Sequence, residues 1–156
     1  MEYLGVSIDL KHMPKLDPGF VPFGVWREAY LKGAAIPIAI AVERNDGKIT
    51  VWRTRIHGTE AFARADCRYV ERMVKFLLWS VGGFRIYLCG CHEIAERLRE
   101  DYTPNGNRAF DADFFRKVYE RDLEILDRPL EDCPQPNEAP RPLGGHLDGC
   151  RIGFDA

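Results

Sequence analysis

Serine is almost missing from this chain. Ser7 and Ser80 are the only two, and neither lies in a Gly-x-Ser-x-Gly context, which leaves serine nucleophilic catalysis little to work with. Long apolar runs are missing as well, since none approaches the ~20 residues of a membrane-spanning helix. The segment from Met1 to Asp9 lacks a basic region and a small-residue cleavage site, so no signal peptide is expected. Charge of one sign is missing too: 22 Lys and Arg stand against 24 Asp and Glu. That balance offers no electrostatic case for nucleic acid or an anionic membrane as partner. An even set of cysteines is also lacking. The five, at 67, 89, 91, 133 and 150, are unevenly spaced, which fits reduced thiols and a cytoplasmic chain better than a disulfide framework.

What remains is one domain's worth of chain. The 156 residues are 46% hydrophobic and 29% charged, enough for a modest core. No solenoid-period repeat is present. Tyr3–Leu10 reads as a short strand. Residues 11–24 are broken by Pro14, Pro18, Pro22, Gly19 and Gly24, and a short helix follows over Val25–Lys32, ended by Gly33.

A hairpin comes next. Ile36–Glu43 and Lys48–Ile56 are β-rich runs flanking Arg44-Asn-Asp-Gly47, whose Asn, Asp and Gly tolerate the positive φ of a tight turn. The first arm is apolar throughout and reads as buried on both faces. Thr59–Ser80 is the strongest helix. Its apolar stripe runs through Phe62, Ala65, Tyr69, Val70, Met73, Val74, Phe76, Leu77 and Leu78, with Asp66, Glu71 and the other charges on the remaining surface, and Gly82-Gly83 closes it. Phe84–Cys89 reads as a buried strand, residues 92–101 and 111–120 as helices, and Leu123–Leu126 as a strand. From Pro129 the prolines at 129, 134, 136, 140 and 142, with Gly144 and Gly145, predict a semi-extended linker.

Each chemical motif has a structural alternative. Cys89, Cys91 and His92 are all of zinc-ligand type. However, C-x-C followed directly by His is poor spacing for a structural site, and no second pair such as C-x₂-C accompanies it. Cys89 is expected to pack inward from its strand, and Cys91 and His92 to start a helix. Cys–His catalysis would require His12, His57, His92 or His146 beside an activated thiol, which spacing does not establish. Glu120/Asp122 and Glu131/Asp132 read as solvated carboxylates. Gly82-Gly83 and Gly144-Gly145 lack the helix and Lys of a phosphate-binding loop. Phe20, Phe23, Trp26 and Tyr30 are expected to fold onto the core, with docking on a partner domain as the alternative.

At the tail, Arg151-Ile-Gly-Phe154 reads as a short strand with Asp155 at its C-terminal end. The stretch Pro142-Leu-Gly-Gly-His-Leu-Asp-Gly-Cys-Arg-Ile-Gly-Phe-Asp155 resembles the approach to the first phosphate motif of the ROK family (repressor, open reading frame, kinase). Leu16–Pro22, Tyr69–Trp79 and Asn107–Asp111 are similar to the extension that a subgroup of long ROK-family proteins carries before the kinase-like core.

The resemblance implies a parent protein with an actin-like, ribonuclease H-like core. That parent would bind ATP and Mg and act as a glucokinase-like phosphotransferase on a sugar hydroxyl. Asp155 would then lie beside the nucleotide's phosphates and metal. The family's Gly-rich turn, sugar contacts and catalytic base have no counterpart in these residues, and Cys89-Gly-Cys91-His92 does not match its zinc motif.

These readings lead to an α+β (or α/β) expectation, with a small mixed sheet and its hairpin packed on one long helix. The division is an N-terminal domain over 1–128, a Pro/Gly-rich linker over 129–148 and a first core strand over 149–156. The fragment itself is expected to be inactive and without a cofactor, its partner the kinase-like core or another copy of itself. The alternative is a non-catalytic interaction or dimerisation module.

Overall fold

Asn45, Asp46 and Gly47 turn the chain where the sequence places a hairpin, and the sheet is built outward from there. The computed structural model describes residues 1–12 and 14–138. Met13, the expected linker residues 139–148 and the expected strand 149–156 with Asp155 lie outside the described residues.

β1 (Glu2–Tyr3) and β2 (Val6–Ser7) form a miniature antiparallel hairpin. Leu4 and Gly5 turn it at φ 51° and 75°, so the single strand expected over 3–10 is folded back on itself. α1 (Phe23–Gly33) follows. β3 (Ile36–Glu43) and β4 (Ile49–Ile56) then pair antiparallel along their full length, from Ile36 opposite Ile56 to Glu43 opposite Ile49. Asp46 and Gly47 take the left-handed φ values, 61° and 63°, that close the turn.

After one 3-10 turn at Glu60–Phe62, α2 runs over Ala63–Val81. β5 (Arg85–Cys89), α3 (His92–Asp101), α4 (Ala109–Tyr119) and β6 (Glu124–Arg128) complete the elements. The main sheet has the order β4-β3-β5-β6. β3 runs antiparallel to β4 and to β5, and β6 runs parallel to β5. β4, β5 and β6 therefore share one direction, and β4-α2-β5 is a split β-α-β unit with β3 inserted between its strands. The class is α+β, as the sequence predicts, with β6 extending the expected three-stranded sheet.

The two faces of the sheet differ in the size of their side chains. Ile38, Ile40, Val42, Ile86, Leu88 and Ile125 point to the face carrying all four helices, where Trp26, Tyr30, Tyr69, Val74, Leu98 and Phe115 meet them. Full burial of one such aliphatic side chain stabilises by about 1.5–3 kcal/mol. On the opposite face β3 and β5 bury Ala39, Ala41 and Cys89, with Tyr87 half-buried beside them. β3 is buried on both sides, as its uninterrupted apolar run predicts.

Gly82 and Gly83 do more than end α2. Gly83 sits at φ 150°, and a Cβ there would lie 2.2 Å from the Val42 methyl. The chain enters β5 against β3 at a distance only glycine permits.

Two expectations need correction. Phe76 belongs to the apolar stripe of α2 but is largely exposed, whereas Asp66 and Glu71, read as part of its solvated surface, are buried. The second concerns 129–138, read as the start of a linker. After a 3-10 turn at Leu130–Asp132, Leu130 and Cys133 pack on Ala39, Ala41 and Cys89. Asn137 then reaches the hairpin, accepting from the Ile49 amide at 2.8 Å and donating to the Gly47 carbonyl at 2.7 Å. Prolines remove ladder donors, but a strap laid across a small-residue face needs no ladder.

Candidate functional site

Because β4, β5 and β6 run the same way, their carboxyl ends open on one edge. α2 and α3 begin there, after short loops from β4 and β5. Sheets with parallel strands characteristically bind ligands in the crevice outside such ends. Here a cavity of about 610 Å³ lies between the start of α2 (Gly58, Thr59, Glu60) and the start of α3 (Cys91, His92, Glu93).

Asp66 forms the inner wall of this crevice. Its carboxylate accepts from the Tyr30 hydroxyl at 2.5 Å, the His57 amide at 3.1 Å and the Gly58 amide at 2.7 Å. The loop leaving β4 is thereby latched to the first turns of α2. Burial, then the neighbouring Asp66 carboxylate, drives the Tyr30 phenol far above its usual range and keeps it a neutral donor. His57 donates from Nε2 to the Tyr30 carbonyl at 2.9 Å and stacks on Phe62, with ring centroids 3.9 Å apart. Tyr69 shares a hydroxyl hydrogen bond of 2.6 Å with Thr54. The Asp66 carboxylate, the hydroxyls of Tyr30, Tyr69 and Thr54 and the His57 Nε2 are all engaged by neighbours.

The thiols here are not activated. Burial, then the charge of Asp127, pushes Cys91 up to about 12. Burial also raises Cys67, with Arg97 opposing it. Neither is a thiolate at neutral pH, which nucleophilic attack requires. His92 is exposed and its Nδ1 lies 2.6 Å from Asp127, which raises the imidazole above its ordinary value.

Cys89, Cys91 and His92, adjacent in sequence, look into three different surroundings. Cys89 is on the small-residue face with Cys133, Cys91 belongs to the main core, and His92 turns outward to Asp127. Among the described residues no group of three or more His, Cys, Asp or Glu is placed to hold a metal ion. No helix among them is long and apolar enough to cross a membrane. Asp155, the one cofactor-binding residue that the resemblance implies, is outside the described residues.

A second surface carries exposed aromatics. Trp26 and Tyr30 of the stretch 20–30 are buried and stacked at 5.0 Å, so that stretch folds mainly onto the core. Phe20 stays exposed there, and a larger group of open aromatics lies on α4 and α2. Phe110, Phe114 and Val118 recur every four residues along α4 and form a stripe, beside Phe76 and Trp79 of α2. Trp79 stacks on Phe114 at 4.8 Å, and Phe114 on Phe110 at 6.4 Å. The indole is fixed from behind by the buried Asp111, which accepts its N–H at 2.7 Å. The apolar periodicity of 111–120 signals this helix, but periodicity alone does not tell a core-facing stripe from an open one.

Comparison with known proteins adds no family to this geometry: the chain matches no family model, no curated protein and no solved structure.

Proposed function

We propose that this domain is a non-catalytic interaction module that pairs with a second copy of itself through the aromatic face of α2 and α4. The observation that carries the proposal is the exposure of five neighbouring apolar side chains: Phe110 at 71%, Phe76 and Val118 at 55%, Trp79 at 46% and Phe114 at 38%. With aromatic side chains of ~200 Å² each, these present on the order of 500 Å² of apolar surface. That is a large part of the ~800 Å² per partner of a standard interface.

The charges around the stripe suit a second copy. Asp113, beside the centre of α4, is ion-paired within the helix with Arg116 and Lys117, and these pairs could exchange between copies. An antiparallel α4 pair about a twofold axis at Phe114 would set Phe110 against Val118 of the second copy. It would also bring Asp113 within reach of that copy's Lys117. Trp79, already held by Asp111, would be ordered at little entropic cost.

Sedimentation of the purified chain across a concentration series tests this. A concentration-dependent dimer that Phe110→Glu and Phe114→Glu abolish is expected. A chain that stays monomeric throughout would overturn the proposal.

The sequence supports a second reading through Pro142–Asp155. The module would then precede a ROK-type core that binds ATP and Mg and phosphorylates a sugar, with Asp155 beside the nucleotide. These residues alone are not expected to turn over. An ATP-coupled assay across a hexose panel checks that, and turnover lost in Asp155→Ala would contradict it.

A further inference from the structure

Beside the strand-end crevice lies a cleft of about 400 Å³ with a different character. Arg64 and Arg68 of α2, Arg97 of α3, and Asn107 and Arg108 before α4 converge on it, against the carboxylates of Glu71 and Asp101. Glu71 is buried and shared by two guanidiniums, Arg68 at 3.2 Å and Arg108 in direct contact. Asp101 accepts from Asn107 at 2.7 Å. Arg64 and Arg97 have no ion-pair or hydrogen-bond partner among the described residues. Four guanidiniums thus face two carboxylates, in a chain that is slightly acidic as a whole.

We infer that this cleft binds the phosphate of a small organic phosphomonoester whose body extends into the strand-end crevice. Several observations converge on that ligand. Guanidinium forks match phosphate oxygens bidentately, and Glu71 holds two of them side by side before any ligand arrives. Four cationic side chains would repel a metal ion. The two cavities adjoin, since Cys67 and Arg97 line both. The larger one offers an apolar wall at Ile56, Ala63 and Ile94, with Glu60 and Glu93 to accept from hydroxyl or amino groups. Its size is that of a small-molecule site. A sugar phosphate and a nucleoside monophosphate share this chemistry.

Titration calorimetry of the full chain with inorganic phosphate, glucose 6-phosphate and adenosine 5′-monophosphate separates the sources. At least one ester should bind saturably and about tenfold more tightly than inorganic phosphate, and the better ester identifies the body. Arg64→Gln with Arg97→Gln should weaken that ester by about tenfold or more, since both remove charge-assisted bonds to the phosphate. Both side chains are exposed, so circular dichroism should report an unchanged fold. Arg53→Gln, on the opposite face of the sheet, should leave binding unchanged, as should Phe110→Glu, which separates this inference from self-association. Absence of saturable ester binding, equal binding of inorganic phosphate, or binding that survives the double substitution would each overturn it.

Discussion

Replacing Asp66 by Ala would remove the one acceptor that three donors share. Tyr30 is fully buried, so its hydroxyl would find no water and would bear the full cost of an unpaired buried donor, about 1–3 kcal/mol. The His57 and Gly58 amides border the crevice and recover some solvation, so their loss is expected to add about 1–2 kcal/mol together. Asp66→Ala should therefore cost about 2–5 kcal/mol, a large share of the ~5–15 kcal/mol that holds a domain of this size. Tyr30→Phe removes one donor without stranding an acceptor that has two others, and should cost about 1 kcal/mol. The pair should not be additive, because once Asp66 is gone the Phe variant no longer strands a hydroxyl. Urea unfolding followed by far-ultraviolet dichroism and by tryptophan fluorescence measures all four corners of the cycle, with Trp26 buried against Tyr30. An Asp66→Ala cost below about 1 kcal/mol, or a strictly additive cycle, would refute the latch.

Other consequences can be checked separately. The His92 imidazole, raised by Asp127, should support the fold fully below its ordinary value of about 6.5 and lose that support as pH climbs through the raised one. Asp127→Asn should return the NMR titration of His92 toward the ordinary value, and an unmoved midpoint would contradict the pairing. Because Cys89, Cys91 and His92 face different surroundings, elemental analysis should find no stoichiometric zinc. About one zinc per chain, lost in Cys89→Ser, would overturn that geometry. Asn137→Ala should cost about 1 kcal/mol and speed amide exchange at Ile49 and proteolysis between 129 and 138. Unchanged exchange would mean that the strap is held elsewhere.

The sequence was most legible where apolar spacing repeats. The hairpin arms, the long helix, the strand at 85–89 and the helix at 92–101 each follow from side-chain periodicity and the glycines or turn residues beside it. The roles of Asp66 and Glu71 were hidden for a shared reason. A carboxylate on a wide helix reads as solvated, and the groups that bury these two are backbone amides at 57 and 58 and a distant Arg108. Side-chain identity carries no mark of either. The strap at 129–138 was hidden by its prolines, although two signs were present. Leu130 and Cys133 stand out in a polar run, and Ala39 and Ala41 in the central strand leave room for something to lie close. The aromatic face was visible as residues but not as a surface, since which side of α4 meets the sheet is decided by the packing of Phe115.

The strap also determines how the domain would respond to tension. It leaves β6, crosses the small-residue face and ends clasped to the opposite edge of the sheet through Asn137. A pull transmitted along residues 139–156 would reach the fold first at that clasp, on the hairpin, and not at the carboxyl end of β6. The contacts of Glu138 with Arg44 and Thr50, then the Asn137 bonds to Ile49 and Gly47, would bear the load before Cys133 is peeled from Ala39 and Cys89, and only then would β6 and the helical core be stressed. Asn137 and Glu138 would thus act together as a mechanical fuse, yielding at low force and leaving the hydrophobic layer intact.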